Sequence, residues 1–127
     1  MIYGSQTWPI KKADLDRLVR NEMDMVRWMC GVRLADRIPS AQLRDRLGIK
    51  GVQEVIEEGR PRWFGHVVRM DGRVGVSRAY NMRVEGDVSP GRPCTTWKSV
   101  VVEDLRRRGL SGEEALDRGV WRGRLRR

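Results

Sequence analysis

Apolar positions recur along this chain at helical spacing, interrupted by glycine and proline. Between residues 13 and 30, Leu15, Leu18, Met25, Val26 and Met29 lie near one helical face, widened by Val19, Met23 and Cys30. The spacing predicts an amphipathic helix over 13–30. Asp14 and Asp16 favour its N-terminal end through the helix dipole, and Gly31 is its stop. The methionines on this face read as adaptable core. Residues 1–10 read as an extended lead-in, because Pro9 blocks helix there. A short second helix is predicted from Ser40 to Leu47, with Ser40 as N-cap and Gly48 as stop.

A third apolar segment starts near Val52. Val52, Val55 and Ile56 have helical spacing, and Trp63, Phe64, Val67, Val68 and Met70 continue it. Gly59 and Pro61 interrupt, and a proline inside a helix removes a hydrogen bond and clashes with the preceding turn. The expectation is a kink, or two helices meeting near residue 60. Residues 71–94 are rich in Gly, Pro, Asp, Asn and Ser and read as a long loop, with one short helical turn around Val76 to Tyr80. Helix returns at about Thr96 and ends at Gly109. Ser111-Gly112-Glu113-Glu114 is a capping-box pattern that opens a last helix bearing Ala115, Leu116, Val120, Trp121 and Leu125. No strand pair is legible. The expected class is all-α: a small irregular helical domain of about four to five helices with a long Gly/Pro-rich loop around 71–94. The expected organisation is a helical segment over 1–70, that loop, and a basic helical pair over 95–127.

Composition sharpens this. In 127 residues, 39% are hydrophobic and 34% charged, so the core is thin. Net charge is +9, with a pI near 10.7. Such a field concentrates polyanions around the protein, which makes nucleic acid the leading partner. Cys30 and Cys94 stand far apart, which fits neither a disulfide framework nor a zinc ligand set. No apolar run approaches the ~20 residues of a membrane span, and Pro9 and Lys11-Lys12 break any signal-peptide core. The expected setting is intracellular, nuclear or cytoplasmic.

Candidate chemistry is sparse. Glu57-Glu58 and Glu103-Asp104 are adjacent carboxylates, and neighbours on a helix point in different directions. They read as solvated faces. No phosphate-cradling glycine loop and no nucleophile with a base stand in the chain. His66, the only histidine, lies in an apolar helical run. Its default reading is a packing residue; the alternative is stacking or hydrogen bonding to nucleic acid, helped by Trp63 one turn earlier. The basic positions say more. Arg60, Arg62 and Arg69 flank the stretch from Trp63 to His66, Arg92 and Lys98 flank Trp97, Arg106-Arg107-Arg108 ends a helix, and Arg122, Arg124, Arg126 and Arg127 finish the chain. Arginine beside aromatics suits phosphate contact and base stacking.

These stretches occur in a recognisable order: Tyr3-Gly4-Ser5-Gln6-Thr7-Trp8, then Arg62-Trp63-Phe64-Gly65-His66-Val67-Val68-Arg69-Met70, then Gly91-Arg92-Pro93 with Trp97, and finally Asp117-Arg118-Gly119-Val120-Trp121-Arg122. In this order they resemble the C-terminal region of reverse transcriptases of LINE-type (non-LTR) retrotransposons, downstream of the polymerase domain. The resemblance runs from about residue 2 to residue 122. It implies a non-catalytic piece, because the family's polymerase chemistry rests on a palm aspartate pair that has no counterpart here, with no cofactor or small-molecule substrate. The chain departs from the family at Glu57-Glu58-Gly59-Arg60-Pro61, where relatives run basic and helix-forming, and at Cys94-Thr95-Thr96, where they tend to be basic. These departures look like relaxed selection or a decayed copy, and the Met at the point where a polymerase would be ending suggests a truncated copy or a larger gene that has been split.

The functional expectation is sequence-tolerant binding of RNA or single-stranded DNA through Arg60, Arg62, Trp63, His66, Arg69, Arg92, Lys98, Arg106, Arg107, Arg108 and Arg122. The alternatives are a helical protein–protein interaction module, built on the Met-rich first helix and exposed Trp residues, or a functionless pseudogene product.

Overall fold

Helix is the only regular structure among the described residues of the computed structural model, which are 2–83, 86, 91 and 94–126. The class is all-α, as expected. Six α-helices follow one another: α1 Lys12–Met29, α2 Ser40–Leu47, α3 Val52–Val68, α4 Gly75–Asn81, α5 Trp97–Arg107 and α6 Arg118–Leu125. Short 3-10 turns stand at Ser5–Thr7, Leu34–Asp36 and Glu113–Leu116. The chain forms two compact units: Met1–Tyr3 with Ile10–Glu57, and Gly4–Pro9 with Glu58–Arg127. The division falls inside α3, whereas the sequence division at 70 and 94 marks the loop.

Unit 1 is built by α1, α2 and the first turns of α3. Gly31 (φ 65°) and Gly48 (φ 62°) take the left-handed conformation that ends α1 and α2. In that geometry the Val32 N–H returns to the Arg27 carbonyl, and the Ile49 N–H to that of Arg44. Ser40 is the first helical residue of α2 and Pro39 its cap, so the expected Ser40 side-chain cap is not made. Met23, Val26 and Leu43 are buried together, with Cys30, Val32, Ile38 and Leu47 packed on them.

The buried arc of α1 differs from the expected one. Glu22 is inside, whereas Met25 and Met29 are exposed, together with Trp28. The reason lies in where α2 and α3 begin. Glu22 Oε2 accepts from Arg44 Nη2 at 2.9 Å, and Oε1 accepts from the Val52 N–H at 3.0 Å. One carboxylate thus pairs a cation on α2 and satisfies the first amide of α3, which has no partner within its own helix. Charge-assisted bonds of this kind contribute about 1.5–3 kcal/mol each. Arg44 Nε is itself buried without a partner, so losing Glu22 leaves two groups uncompensated. Glu22→Ala is expected to destabilise unit 1 by about 3 kcal/mol. Thermal melting followed by circular dichroism measures the loss, and accelerated amide exchange at Val52 locates it.

Unit 2 holds α4, α5, α6 and the second part of α3. Its core is Phe64, Val101, Leu105, Ala115 and Trp121, with Val68, Tyr80, Trp97, Leu110 and Leu125 packed against it. The N-terminal strip is not simply extended. Gly4 is left-handed (φ 72°) and opens the Ser5–Thr7 turn, and the Gln6 carbonyl accepts from Trp97 Nε1 at 2.7 Å.

Helix α3 runs through Pro61 as one α-helix, so the two-helix alternative does not hold. Pro61 gives no N–H to the turn before it. Its ring is fully buried and its carbonyl accepts from Trp121 Nε1 at 3.1 Å. Next to it, Arg60 Nη1 donates to Asp104 Oδ2 at 2.9 Å, with both side chains buried. Packing thereby offsets the helix-breaking residue.

Two further helix starts follow local chemistry. Thr96 caps α5: its Oγ1 accepts from the Ser99 N–H at 3.2 Å, and Ser99 Oγ accepts from the Thr96 N–H in return. The last helix does not run on from Ser111. A 3-10 turn spans Glu113–Leu116, and α6 begins only at Arg118. Asp117 decides this. Its Oδ1 accepts from Gly119 N at 2.7 Å and Val120 N at 2.9 Å, which nucleates a new helix.

Candidate nucleic-acid interface

Charge is unequally divided. Unit 2 carries 16 basic and 9 acidic side chains, unit 1 carries 10 and 8. Unit 2 therefore sets the field that attracts a polyanion.

Within it, the second half of α3 presents Arg62, Trp63 and His66 on neighbouring turns. Arg62 and His66 are exposed and Trp63 is half-buried. The Trp63 and His66 ring centroids lie 5.4 Å apart at a tilt of 48°. His66 is thus not a packing residue. Its ring stands in solvent beside an indole, with Arg62 one turn before it. An aromatic pair with an exposed arginine one turn away offers a surface for an unpaired base and a cation for its phosphate.

Other sequence candidates are committed elsewhere. Arg60 is 6% exposed and held by Asp104, so its guanidinium cannot reach a phosphate without breaking a buried pair. Arg69 is half-buried and donates through Nη1 to the Ala115 carbonyl, tying the end of α3 to the turn before α6. Both are structural cations that sequence spacing placed among surface ones. Arg92 lies outside the described residues.

Lys98 is exposed with its ammonium 4.9 Å from the centre of the Tyr80 ring, a cation–π contact. Tyr80 meets both Phe64 and Trp97 edge-on at about 6 Å, and burial pushes its hydroxyl above the ordinary phenol range. Tyr80 was absent from the sequence candidates. The only signal for it was a helical turn inside a loop-like stretch.

Arg106 and Arg107 share one acid. Arg106 meets both Glu103 oxygens, at 3.0 and 3.1 Å, and Arg107 meets Oε1 at 3.2 Å. These bonds hold the Glu103 carboxyl below its usual range and raise the Arg106 guanidinium. All are at the surface, where such pairs are worth little and exchange readily. Arg108 and Arg122 are exposed, without an ion-pair partner among the described residues. Arg118 and Arg126 are in the same state. Arg126 belongs to the basic C-terminal run noted in the sequence; Arg118 was not singled out there, although its spacing of four from Arg122 was legible once a helix was assumed.

The open groove of unit 1 is a poorer place for an anion. Asp45, Glu54 and Glu57 line it beside Arg44 and Lys50, and Lys50 pairs with Glu54. Cys30 and Cys94 are free thiols. Among the described residues no three His, Cys, Asp or Glu side chains gather where a metal ion could bind, and no helix is long and apolar enough to cross a membrane. Comparison of the chain with models of known families, with curated proteins and with solved structures finds no match.

Proposed function

We propose that this chain is a non-catalytic, sequence-tolerant binder of RNA or single-stranded DNA, a remnant of a LINE-type reverse transcriptase acting inside the cell. One observation carries the reading: a Trp63–His66 ring pair with His66 exposed and Trp63 half-buried, one turn from the exposed Arg62, in the unit that holds most of the excess positive charge. The ordered motifs at residues 3–8, 62–70 and 117–122 support the parentage. Electrostatics supplies affinity without sequence preference, and every base offers a π-face to stack.

Fluorescence anisotropy with labelled oligo(rU) and oligo(dT) tests this across a salt series. Log affinity is expected to fall linearly with log salt, by ~0.7 for each phosphate neutralised. Arg62→Gln with His66→Ala, both at exposed positions, is expected to weaken binding roughly tenfold, the low end of one stacked base. Primer-extension and nicking assays with Mg²⁺ or Mn²⁺ are expected to be blank. Absence of salt-sensitive binding would overturn the reading.

A second reading has its own observation. Met25, Trp28 and Met29 form an exposed apolar face on α1, with Trp28 83% accessible. A protein-interaction module would use that face, and its binding would be insensitive to salt.

A further inference from the structure

The outer face of α6 is built against the stability of its own helix. Arg118, Arg122 and the C-cap residue Arg126 follow one another at intervals of four, on one side of the buried Trp121 and the partly buried Leu125. Like charges at that interval repel. Arg118 is also the first residue of the helix, where the dipole disfavours a cation. Gly119 and Gly123 stand beside the arginines on the outermost arc, and glycine inside a helix weakens it. Nothing inside the molecule requires Gly123, since a Cβ there would meet no atom within 4 Å. None of the three arginines has an ion-pair partner among the described residues. Their neighbours are different: Arg124 is held by Glu114 at 3.2 Å and by the Gly109 carbonyl, and Arg106 and Arg107 by Glu103.

We infer that the outer face of α6 is the track for the phosphodiester backbone of a single strand, with Arg118, Arg122 and Arg126 each meeting one phosphate. The inference rests on the nucleic-acid reading above and adds where the backbone runs. Four residues of helix advance about 6 Å, comparable with the step between successive phosphates of an extended strand. A polyanion seated there removes the repulsion between the arginines and the clash with the dipole. The bare arc at Gly119 and Gly123 lets the strand approach the helix backbone closely. A membrane surface is a poorer fit, because Val120 is the one large apolar side chain that α6 exposes.

The full chain is tested by anisotropy with labelled oligo(rU), oligo(dT) and a duplex over a salt series. Arg118→Gln, Arg122→Gln and Arg126→Gln together are expected to flatten the single-strand salt slope by about two, from ~0.7 per phosphate. Arg106→Gln, Arg107→Gln and Arg108→Gln together are expected to flatten it by about half as much, because Glu103 already neutralises part of that cluster. Gly123→Ala is expected to raise the melting temperature yet weaken binding to single strands, two effects of opposite sign that a purely structural role would not produce. If the wild type binds with a steep slope and the α6 triple variant keeps that slope, the inference fails and the nucleic-acid reading stands. Tighter binding to the duplex than to either single strand also defeats it. If the wild type shows no salt-sensitive binding, both fail together.

Discussion

Asp104→Ala is expected to cost unit 2 about 3–5 kcal/mol, the typical penalty for removing one partner of a buried ion pair. Asp104 and Arg60 are 7% and 6% exposed, and their bond is 2.9 Å long. Arg60 cannot simply lose its charge, because a guanidinium stays protonated. Its Nε is already buried without an acceptor. With Asp104 gone, the whole cation is stranded between α3 and α5. Set against a typical domain stability of ~5–15 kcal/mol, the loss would leave a substantial fraction of molecules unfolded on modest warming. Urea titration followed by Trp fluorescence reads the change. The double variant Arg60→Met with Asp104→Leu is expected to recover most of it, since well-packed apolar replacement of a buried pair is often neutral or better. A single variant as stable as the wild type would mean that Arg60 escapes to solvent, and would return it to the surface cations available to phosphate.

Gly65→Ala is the second large effect. On an exposed helix face this substitution stabilises by about 1 kcal/mol. Here the added Cβ would collide with the Trp121 indole, reaching 2.5 Å from its Cδ1. Trp121 is 2% exposed and its Nε1 is bonded to the Pro61 carbonyl, so the ring has no free space and one polar commitment. Overpacking costs about 1–3 kcal/mol, and a buried donor pulled from its acceptor about 1–3 more. The net expectation is a loss of about 2–4 kcal/mol, and a melting temperature lower by roughly 10 °C. A double-mutant cycle isolates the contact. On a Trp121→Leu background, which is itself destabilised, Gly65→Ala should cost little or add stability. An equal cost on both backgrounds would place the strain elsewhere in α3.

These two contacts give physical content to motifs that sequence reading treated separately. Gly65 of the Trp63–His66 stretch and Trp121 of the C-terminal motif are halves of one contact, 56 positions apart in sequence. Arg60 and Pro61, which read as departures from a basic helix, are built into the core of unit 2 through Asp104 and Trp121. The candidate interface changes accordingly. Arg62, His66, Lys98, Arg106, Arg107, Arg108 and Arg122 stay in solvent, Arg60 and Arg69 become structural, and Arg118 joins the exposed set together with Arg126 of the C-terminal run.

The sequence by itself determined what short-range physics determines. Apolar periodicity placed α1 and the third helix, start and stop residues placed α2, the lack of a legible strand pair gave the all-α class, and composition set the strongly positive field. Helix boundaries in α1 and α2 were legible to within a residue because caps and stops act over one turn. Only the tertiary structure decided which arc of each helix is inside. Periodicity shows that a buried face exists, but its centre depends on where partner helices begin. Hence Glu22 went inward to meet Arg44 and Val52, while Met25 and Met29 stayed out. The fate of each charge is likewise non-local. Arg60 finds Asp104 across 44 positions and Arg69 finds the Ala115 carbonyl across 46. A cation's local sequence looks the same whether it faces water or a buried carboxylate, and only the folded chain brings the distant partner within bonding distance.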